Sequence, residues 1–307
     1  MPKTLLVAAD VDRSLHARAE SDARFHVVHH PVRTEDELAA IVGDAQILVT
    51  RAYNRVTRRV IDAAPRLELI AQGTSGTDNI DADAARERGI PIISLPGANA
   101  NAVAELVIAF MISMTRTIPF YTREVASGRF FRDDCATRHE LRYFQLGIVG
   151  LGQVGSRVAR LSRAFGMHVR AYDPYITITD FGETERVDSL AALIAQSDIL
   201  TLHVPLNAET RRMIGPAEIA SLRPGSYLIN ASRGEVLDQQ AALGALQPSH
   251  LAGLALDVFD PEPPTTGFPD DPRLILTPHI GGCSFECKAD IGAMLYEKIA
   301  AFYGPSS

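Results

Sequence analysis

Near the middle of the chain, Leu146 to Gly155 reads Leu-Gly-Ile-Val-Gly-Leu-Gly-Gln-Val-Gly, and Asp173 closes the next apolar stretch eighteen residues after Gly155. A short apolar strand that runs into a glycine turn, with a helix opening at Ser156, leaves backbone N–H groups facing a pyrophosphate. An acidic side chain at that distance takes the hydroxyls of an adenosine ribose. Gly150, Gly152, Gly155 and Asp173 are therefore candidates for a dinucleotide site. A tight strand-to-helix connection with no ligand would use the glycines and leave the acid unexplained. Position adds a second constraint, because about 145 residues precede the turn, enough for most of another domain.

The chain has 307 residues, 46% hydrophobic and 22% charged, so two sizeable cores are expected. A formal net charge of -7 argues against a general nucleic-acid or anionic-membrane surface. Leu5 to Ala9 is too short for the apolar core of a leader and runs at once into Asp10 and Asp12, so a cytoplasmic protein is expected. The longest apolar stretch, Ala102 to Met114, contains Glu105 and falls short of the roughly 20 residues of a membrane span. Cys135, Cys283 and Cys287 are too few for a disulfide framework and fit a reducing compartment. His279, Cys283 and Cys287 have a spacing that could hold zinc, but a fourth ligand is missing and no metal is expected.

Short apolar runs alternate with mixed-polarity, helix-like stretches: Leu5 to Ala8, Ile47 to Val49, Leu67 to Ala71 and Pro91 to Ser94 form one group. Leu146 to Val149, Val169 to Tyr172, Ile199 to Val204, Ser226 to Ile229, Leu254 to Val258 and Leu274 to Leu276 form another. The alternation predicts an α/β chain with two doubly wound parallel sheets. The segment from Asn101 to about Ile118 is apolar on nearly all sides, which predicts a helix packed between domains or against a second subunit, hence a homodimer. Ser284, with an acid two places on, caps a last helix to Phe302 that is expected to return to the first domain.

In open α/β sheets ligands lie outside the carboxyl ends of the strands. His203 with Pro205, Asn230 to Arg233, Asp257 and His279 all stand at or just past such ends. Arg233 offers a permanently charged, planar fork for a carboxylate and a neighbouring carbonyl. His279 titrates near neutrality, and a carboxylate on one ring nitrogen would fix its tautomer; Glu262 is the candidate. Such a set can anchor a keto acid and exchange a proton at its oxygen without a metal. Taken singly, each residue also fits a bland role as a surface charge, a loop acid or a strand-end histidine.

The segments Asn230-Ala-Ser-Arg-Gly234, Asp257-Val-Phe-Asp-Pro-Glu-Pro263 and Thr277-Pro-His-Ile-Gly-Gly282 resemble, in order and spacing, signatures of the D-isomer-specific 2-hydroxyacid dehydrogenases. Gly73-Thr-Ser-Gly-Thr-Asp-Asn-Ile-Asp81 looks like that family's substrate loop, and Asn99 to Glu105 like the start of its interdomain helix. The resemblance implies a Rossmann-type NAD-binding domain, residues 100–282, inserted in a flavodoxin-like substrate domain, residues 1–99 plus 283–307, with a hinge between them. It implies Arg233, Glu262 and His279 as the catalytic trio, with Ser75 and Gly76 receiving the substrate carboxylate. Asp257 matches the residue holding the nicotinamide amide, and Gln153 and Val154 match the pyrophosphate turn. His203, Pro205 and Thr210 match the wall beside the adenosine half, and Ala231, Ser232 and Gly282 complete the cofactor set. Asp173, followed by Pro174 and Tyr175, looks like the NAD version, since a 2′-phosphate would be repelled there.

Several implications concern what the chain acts on. The resemblance implies a small 2-keto or 2-hydroxy acid substrate and a dimer, and Glu262 argues against the formate-oxidising branch, which carries an amide there. From the length, no appended regulatory domain is expected. Gly128 to Arg142 lacks the tryptophan common in relatives, and Tyr143 to Gln145 replaces a basic Gly-Lys pair. Arg51 matches an arginine of relatives that handle phosphorylated acids, although Arg55, Arg58 and Arg59 nearby allow a plain surface charge. An NAD(H)-sensing, corepressor-like binding protein and a phosphite-type dehydrogenase on the same fold remain as alternatives.

Overall fold

The computed structural model describes residues 1–132, 138–176, 184–247 and 250–304. Cys135 lies outside the described residues. The chain divides into two compact units, Met1–Asn99 with Gly282–Ser307, and Ala100–Gly281.

The first unit holds a five-stranded parallel sheet of β1 (Lys3–Val7), β2 (Phe25–His29), β3 (Ile47–Thr50), β4 (Leu69–Gln72) and β5 (Ile92–Ile93), in the order β2-β1-β3-β4-β5. That is the flavodoxin-like order, with its switch point between β1 and β3. β1, β3 and β4 read as near-continuous apolar runs because helices cover both faces. β2 was not expected from the sequence. Its Phe-His-Val-Val-His run buries only Phe25 fully, and it is a strand because all five residues pair with β1. The helix Phe285–Phe302, capped by the Ser284 hydroxyl on the Cys287 N–H, belongs to this unit and packs on the helix Arg13–Glu20.

The second unit holds β6 (Gln145–Val149), β7 (His168–Tyr172), β8 (Glu185–Arg186), β9 (Ile199–Leu202), β10 (Ser226–Asn230), β11 (Leu251–Leu256) and β12 (Leu274–Leu276). Their order, β12-β11-β10-β9-β6-β7-β8, is that of a doubly wound dinucleotide fold, with the switch point between β6 and β9. The fold is thus two parallel α/β sheets, as expected. β8 is a second unexpected strand: Glu185 and Arg186 are both exposed, and only pairing with Arg170 and Ala171 defines it. Two cores cover the faces of this sheet, one built around Val107, Met111 and Ile148, the other around Leu200, Leu228 and Leu254.

Two helix boundaries differ from the expectation. The helix after the glycine turn begins at Gln153 rather than Ser156, because Gly152 is the cap and the next three residues already form the first turn. The apolar helix expected from Asn101 to about Ile118 runs from Ala100 to Thr115, and a second helix, Ile118–Ala126, follows it at 62°. The break is local: Thr117 adopts a left-handed φ of 53°, and Pro119 then starts a new first turn. Among the described residues no single helix is long and apolar enough to cross a membrane.

In the first unit the helices Arg13–Glu20 and Phe285–Phe302 meet at a glycine. A Cβ on Gly292 would lie 2.3 Å from the Ser14 hydroxyl and 3.2 Å from the Leu15 nitrogen. Gly292→Ala is therefore expected to force the helices apart and lower stability by about 1–3 kcal/mol, read from urea unfolding of the two proteins.

Candidate active site

The glycine turn is built on close approach. Gly150 has φ +87°, and a Cβ there would lie 2.6 Å from the carbonyl oxygen of His203, where β9 ends beside β6. A Cβ on Gly155 would lie 2.1 Å from the Gly150 carbonyl oxygen, so the helix can start this near the strand only with glycine. At Gly152 the opposite holds: among the described residues nothing lies within 4 Å of its Cβ position, and no side chain caps the helix Gln153–Ala164. Unsatisfied amides at a helix start, opening on empty space, suit a pyrophosphate. Val154 packs inward from this first turn, and the Gln153 amide oxygen accepts from Arg157.

Asp173 stands beside the same turn. One carboxylate oxygen accepts from the Leu151 N–H at 2.9 Å, the other from the N–H groups of Tyr175 and Ile176 at 3.0 and 3.2 Å. The acid thus sits where β7 meets the turn. The Tyr175 hydroxyl donates to Glu209. On the far side of the turn, the Thr210 hydroxyl donates to the Pro205 carbonyl at 2.6 Å, shaping the loop after β9. His203 contacts Thr201 through Nε2 at 3.0 Å, and its Nδ1 is buried with no hydrogen-bond partner among the described residues. Burial pushes this imidazole down to about 3.

Three further loops carry the polar residues. Asn230, at the end of β10, accepts from the N–H and hydroxyl of Ser232 at 3.1 and 2.8 Å and donates to the Arg233 carbonyl at 2.9 Å. This fixes the loop through Ala231 and Ser232 and leaves Arg233 extended, with φ -141°. A Cβ on Gly234 would lie 1.8 Å from the Phe259 carbonyl oxygen, so this loop abuts the one that follows β11. The Phe259 N–H in turn donates to Glu262 at 3.3 Å, and the other Glu262 oxygen lies 2.5 Å from His279 Nδ1. Both side chains are a little over one-third exposed, so the pair is coupled yet reachable.

His279 is held at a left-handed φ of 54° by its surroundings. The buried Asp257 carboxylate accepts from the Thr277 hydroxyl at 2.6 Å and from the N–H groups of Ile280 and Gly281, each at 2.8 Å. Arg233, Glu262 and His279 therefore come from three strand ends whose loops touch or bond in sequence. Asp257, expected at the nicotinamide, is also the residue that fastens the histidine loop.

Ser75, Gly76 and Arg51 belong to the first unit, past the ends of β4 and β3. The Ser75 hydroxyl donates to the Leu95 carbonyl at 3.1 Å and accepts from the Gly97 N–H at 3.1 Å. The buried Gln72 amide donates to Thr74, to the Gly76 carbonyl and to Asn79. Asn79 donates to the carbonyls of Arg51 and Asn54. Gln72, Asn79 and Asn54 shape both loops and were not singled out from the sequence. Gln72 does carry a signal, as a polar residue at the end of a buried run. Gly282, expected with the cofactor residues, falls in this unit against Asn99.

Residues 108–281 match the NAD binding domain of the D-isomer specific 2-hydroxyacid dehydrogenases. The chain is 37% identical over 273 residues to a D-3-phosphoglycerate dehydrogenase of Methanocaldococcus jannaschii, covering 87% of this chain and 51% of that protein. It is 36% identical over 273 residues to a hydroxypyruvate reductase of Thermotoga maritima, covering 86% and 87%. The crystal structure of D-lactate dehydrogenase from Aquifex aeolicus, complexed with NAD and lactic acid, superposes with a TM-score of 0.85 at 28% identity, over 99% of this chain and 100% of that one. The chain belongs to the D-isomer specific 2-hydroxyacid dehydrogenase family and carries its NAD-binding domain. It spans about half the length of the Methanocaldococcus relative.

The state of His203 has a pH consequence. Its native ring takes a proton only near pH 3, whereas the unfolded chain's histidine does so near 6.5. Below pH 6.5 the unfolded state therefore binds more protons, and the stability present above that pH is lost as pH falls towards 3. Relative to a His203→Gln variant, the protein is expected to lose about 1–2 kcal/mol between pH 7 and pH 5, measured by urea unfolding at both pH values.

Proposed function

We propose that this protein interconverts a 2-keto acid and the D-2-hydroxy acid with NAD as coenzyme. The observation that carries the reading is the 2.5 Å pairing of Glu262 with His279 Nδ1, at the carboxyl edge of the sheet that bears the glycine turn. A bound nicotinamide supplies the redox chemistry, giving hydride to the keto carbon or taking it from the hydroxy carbon. Glu262 orients the imidazole through Nδ1, so that Nε2 delivers a proton to the substrate oxygen in reduction and removes it in oxidation. Arg233 holds the substrate carboxylate and polarises the adjacent carbonyl through its planar fork. Asp173 favours NAD over NADP by repelling a 2′-phosphate.

Ser75 and Gly76 are assigned to carboxylate binding, and Arg51 to a second anionic group, on their residue-by-residue match to the family's substrate loops. The similarity to a phosphoglycerate dehydrogenase and a hydroxypyruvate reductase supports a small, polar keto acid. A homodimer is part of the proposal, supported by the exposed apolar side chains of Ile118, Val125, Phe130 and Phe131. A reducing, cytoplasmic setting is part of the proposal, resting on a cysteine content of three, too few for a disulfide framework.

A panel of 2-keto acids with NADH and NADPH, followed at the nicotinamide absorbance, tests the reading directly; no turnover of any of them would contradict it. His279→Gln is expected to lower kcat by roughly 10² to 10⁴ while NADH binding persists, since a general acid contributes about that factor. Unchanged turnover would remove His279 from the mechanism. Arg233→Lys should raise KM for the keto acid and lower kcat, because a point charge does not reproduce the fork. Equal kinetics in that variant would rule out the anchoring role.

A further inference from the structure

At the switch point of the seven-stranded sheet, the loops after β7 and β9 stand on either side of the glycine turn that follows β6. Neighbouring strands lie about 4.8 Å apart, so the two loops start about 10 Å from each other. All of these residues belong to one compact unit, Ala100–Gly281.

Each loop is closed by its own side chains and presents one polar group. After β7, an Asp173 oxygen accepts from the N–H groups of Tyr175 and Ile176, which turns the chain and leaves the Tyr175 side chain on the surface, 69% exposed. After β9, the Asn207 side-chain oxygen accepts from the N–H groups of Glu209 and Thr210, each at 2.9 Å. The Thr210 hydroxyl accepts in return from the Asn207 N–H, also at 2.9 Å. This double closure sets the exposed Glu209 carboxylate towards the other loop, where it accepts from the Tyr175 hydroxyl. A bond between loops that follow β7 and β9 has to cross the carboxyl end of β6, where the glycine turn stands. A phenol donating to a carboxylate is a charge-assisted pair, stronger than a neutral one.

We propose that Tyr175 and Glu209 form a strap across the adenosine half of the coenzyme site, and that NADH enters and leaves when their hydrogen bond opens. The strap rests on the proposed coenzyme placement, with the adenosine between Asp173 and the loop after β9. Its anchors are the chain's own backbone N–H groups, so opening limits both directions of exchange. A bond that favours the closed form about fivefold slows association and dissociation by about that factor and leaves the equilibrium affinity almost unchanged.

Stopped-flow fluorescence of NADH binding to the intact protein tests the strap. Tyr175→Phe and Glu209→Ala should each raise both rate constants about fivefold, with Kd within about twofold of the parent. The double variant should exchange NADH no faster than either single one, because both substitutions remove the same bond. Glu209→Gln keeps an acceptor oxygen, and its rates should stay within about twofold of the parent. Both side chains are exposed, so melting temperatures should stay near the parent's.

A parent that binds no NADH would remove the coenzyme placement and the strap with it. With NADH bound normally by the parent, unchanged rates in both single variants would overturn the strap alone. So would a faster dissociation accompanied by an equal rise in Kd, since the hydroxyl would then touch the coenzyme instead of closing over it. Additive effects in the double variant would overturn it as well.

Discussion

A buried carboxylate has to find donors, and at the end of β11 the donors of Asp257 are the Thr277 hydroxyl and two backbone N–H groups from Ile280 and Gly281. That requirement pulls the loop after β12 across the strand end and sets His279 at a backbone angle few residues adopt freely. Gly281 is needed in the same place, because a Cβ there would lie 2.9 Å from the Asp257 oxygen. The histidine then meets Glu262 without either side chain having to search for the other. Glu262 is itself tied to the Phe259 N–H, and Phe259 lies against Gly234 beside the candidate substrate arginine. The trio is assembled by backbone approach, with side-chain attraction acting only at the last contact.

The first unit uses the same device with a neutral group. Gln72, buried at the end of β4, accepts from the Thr50 hydroxyl of β3 and donates into the loop that carries Ser75 and Gly76. Asn54 and Asn79 extend the network to the loop of Arg51. In both units a polar side chain fully satisfied at a strand end fixes the loops that surround it, which is how buried polar networks impose a single geometry. Parallel strands place all such ends on one edge, so chemistry gathers at the carboxyl edge.

The glycine turn was legible because each glycine answers a local steric demand that neighbouring residues in the sequence create. The trio was legible as residue types at strand ends, yet its pairing was an expectation until the loops were seen to touch. β2 and β8 were not legible: neither presents an apolar run, and each is defined by pairing with the strand before it. Pro119 marks the end of the apolar helix in the sequence, but the left-handed angle at Thr117 and the helix that resumes at Ile118 carry no such mark. Gln72 and Asn79 were passed over because their importance lies in what they hold.

By itself the sequence determined the alternation of strands and helices, the dinucleotide turn with its acid, and the set of residues able to anchor a keto acid and move a proton. These follow from periodicity, glycine sterics and side-chain chemistry, all of which act over a few residues. The tertiary structure alone decided which edge strands form, where the long apolar helix breaks, and how Asp257 and Gly234 bring three loops together. The edge strands and the three-loop assembly depend on pairing and hydrogen bonding between separate segments, and the helix break on one backbone angle at Thr117, so only the folded arrangement decides them.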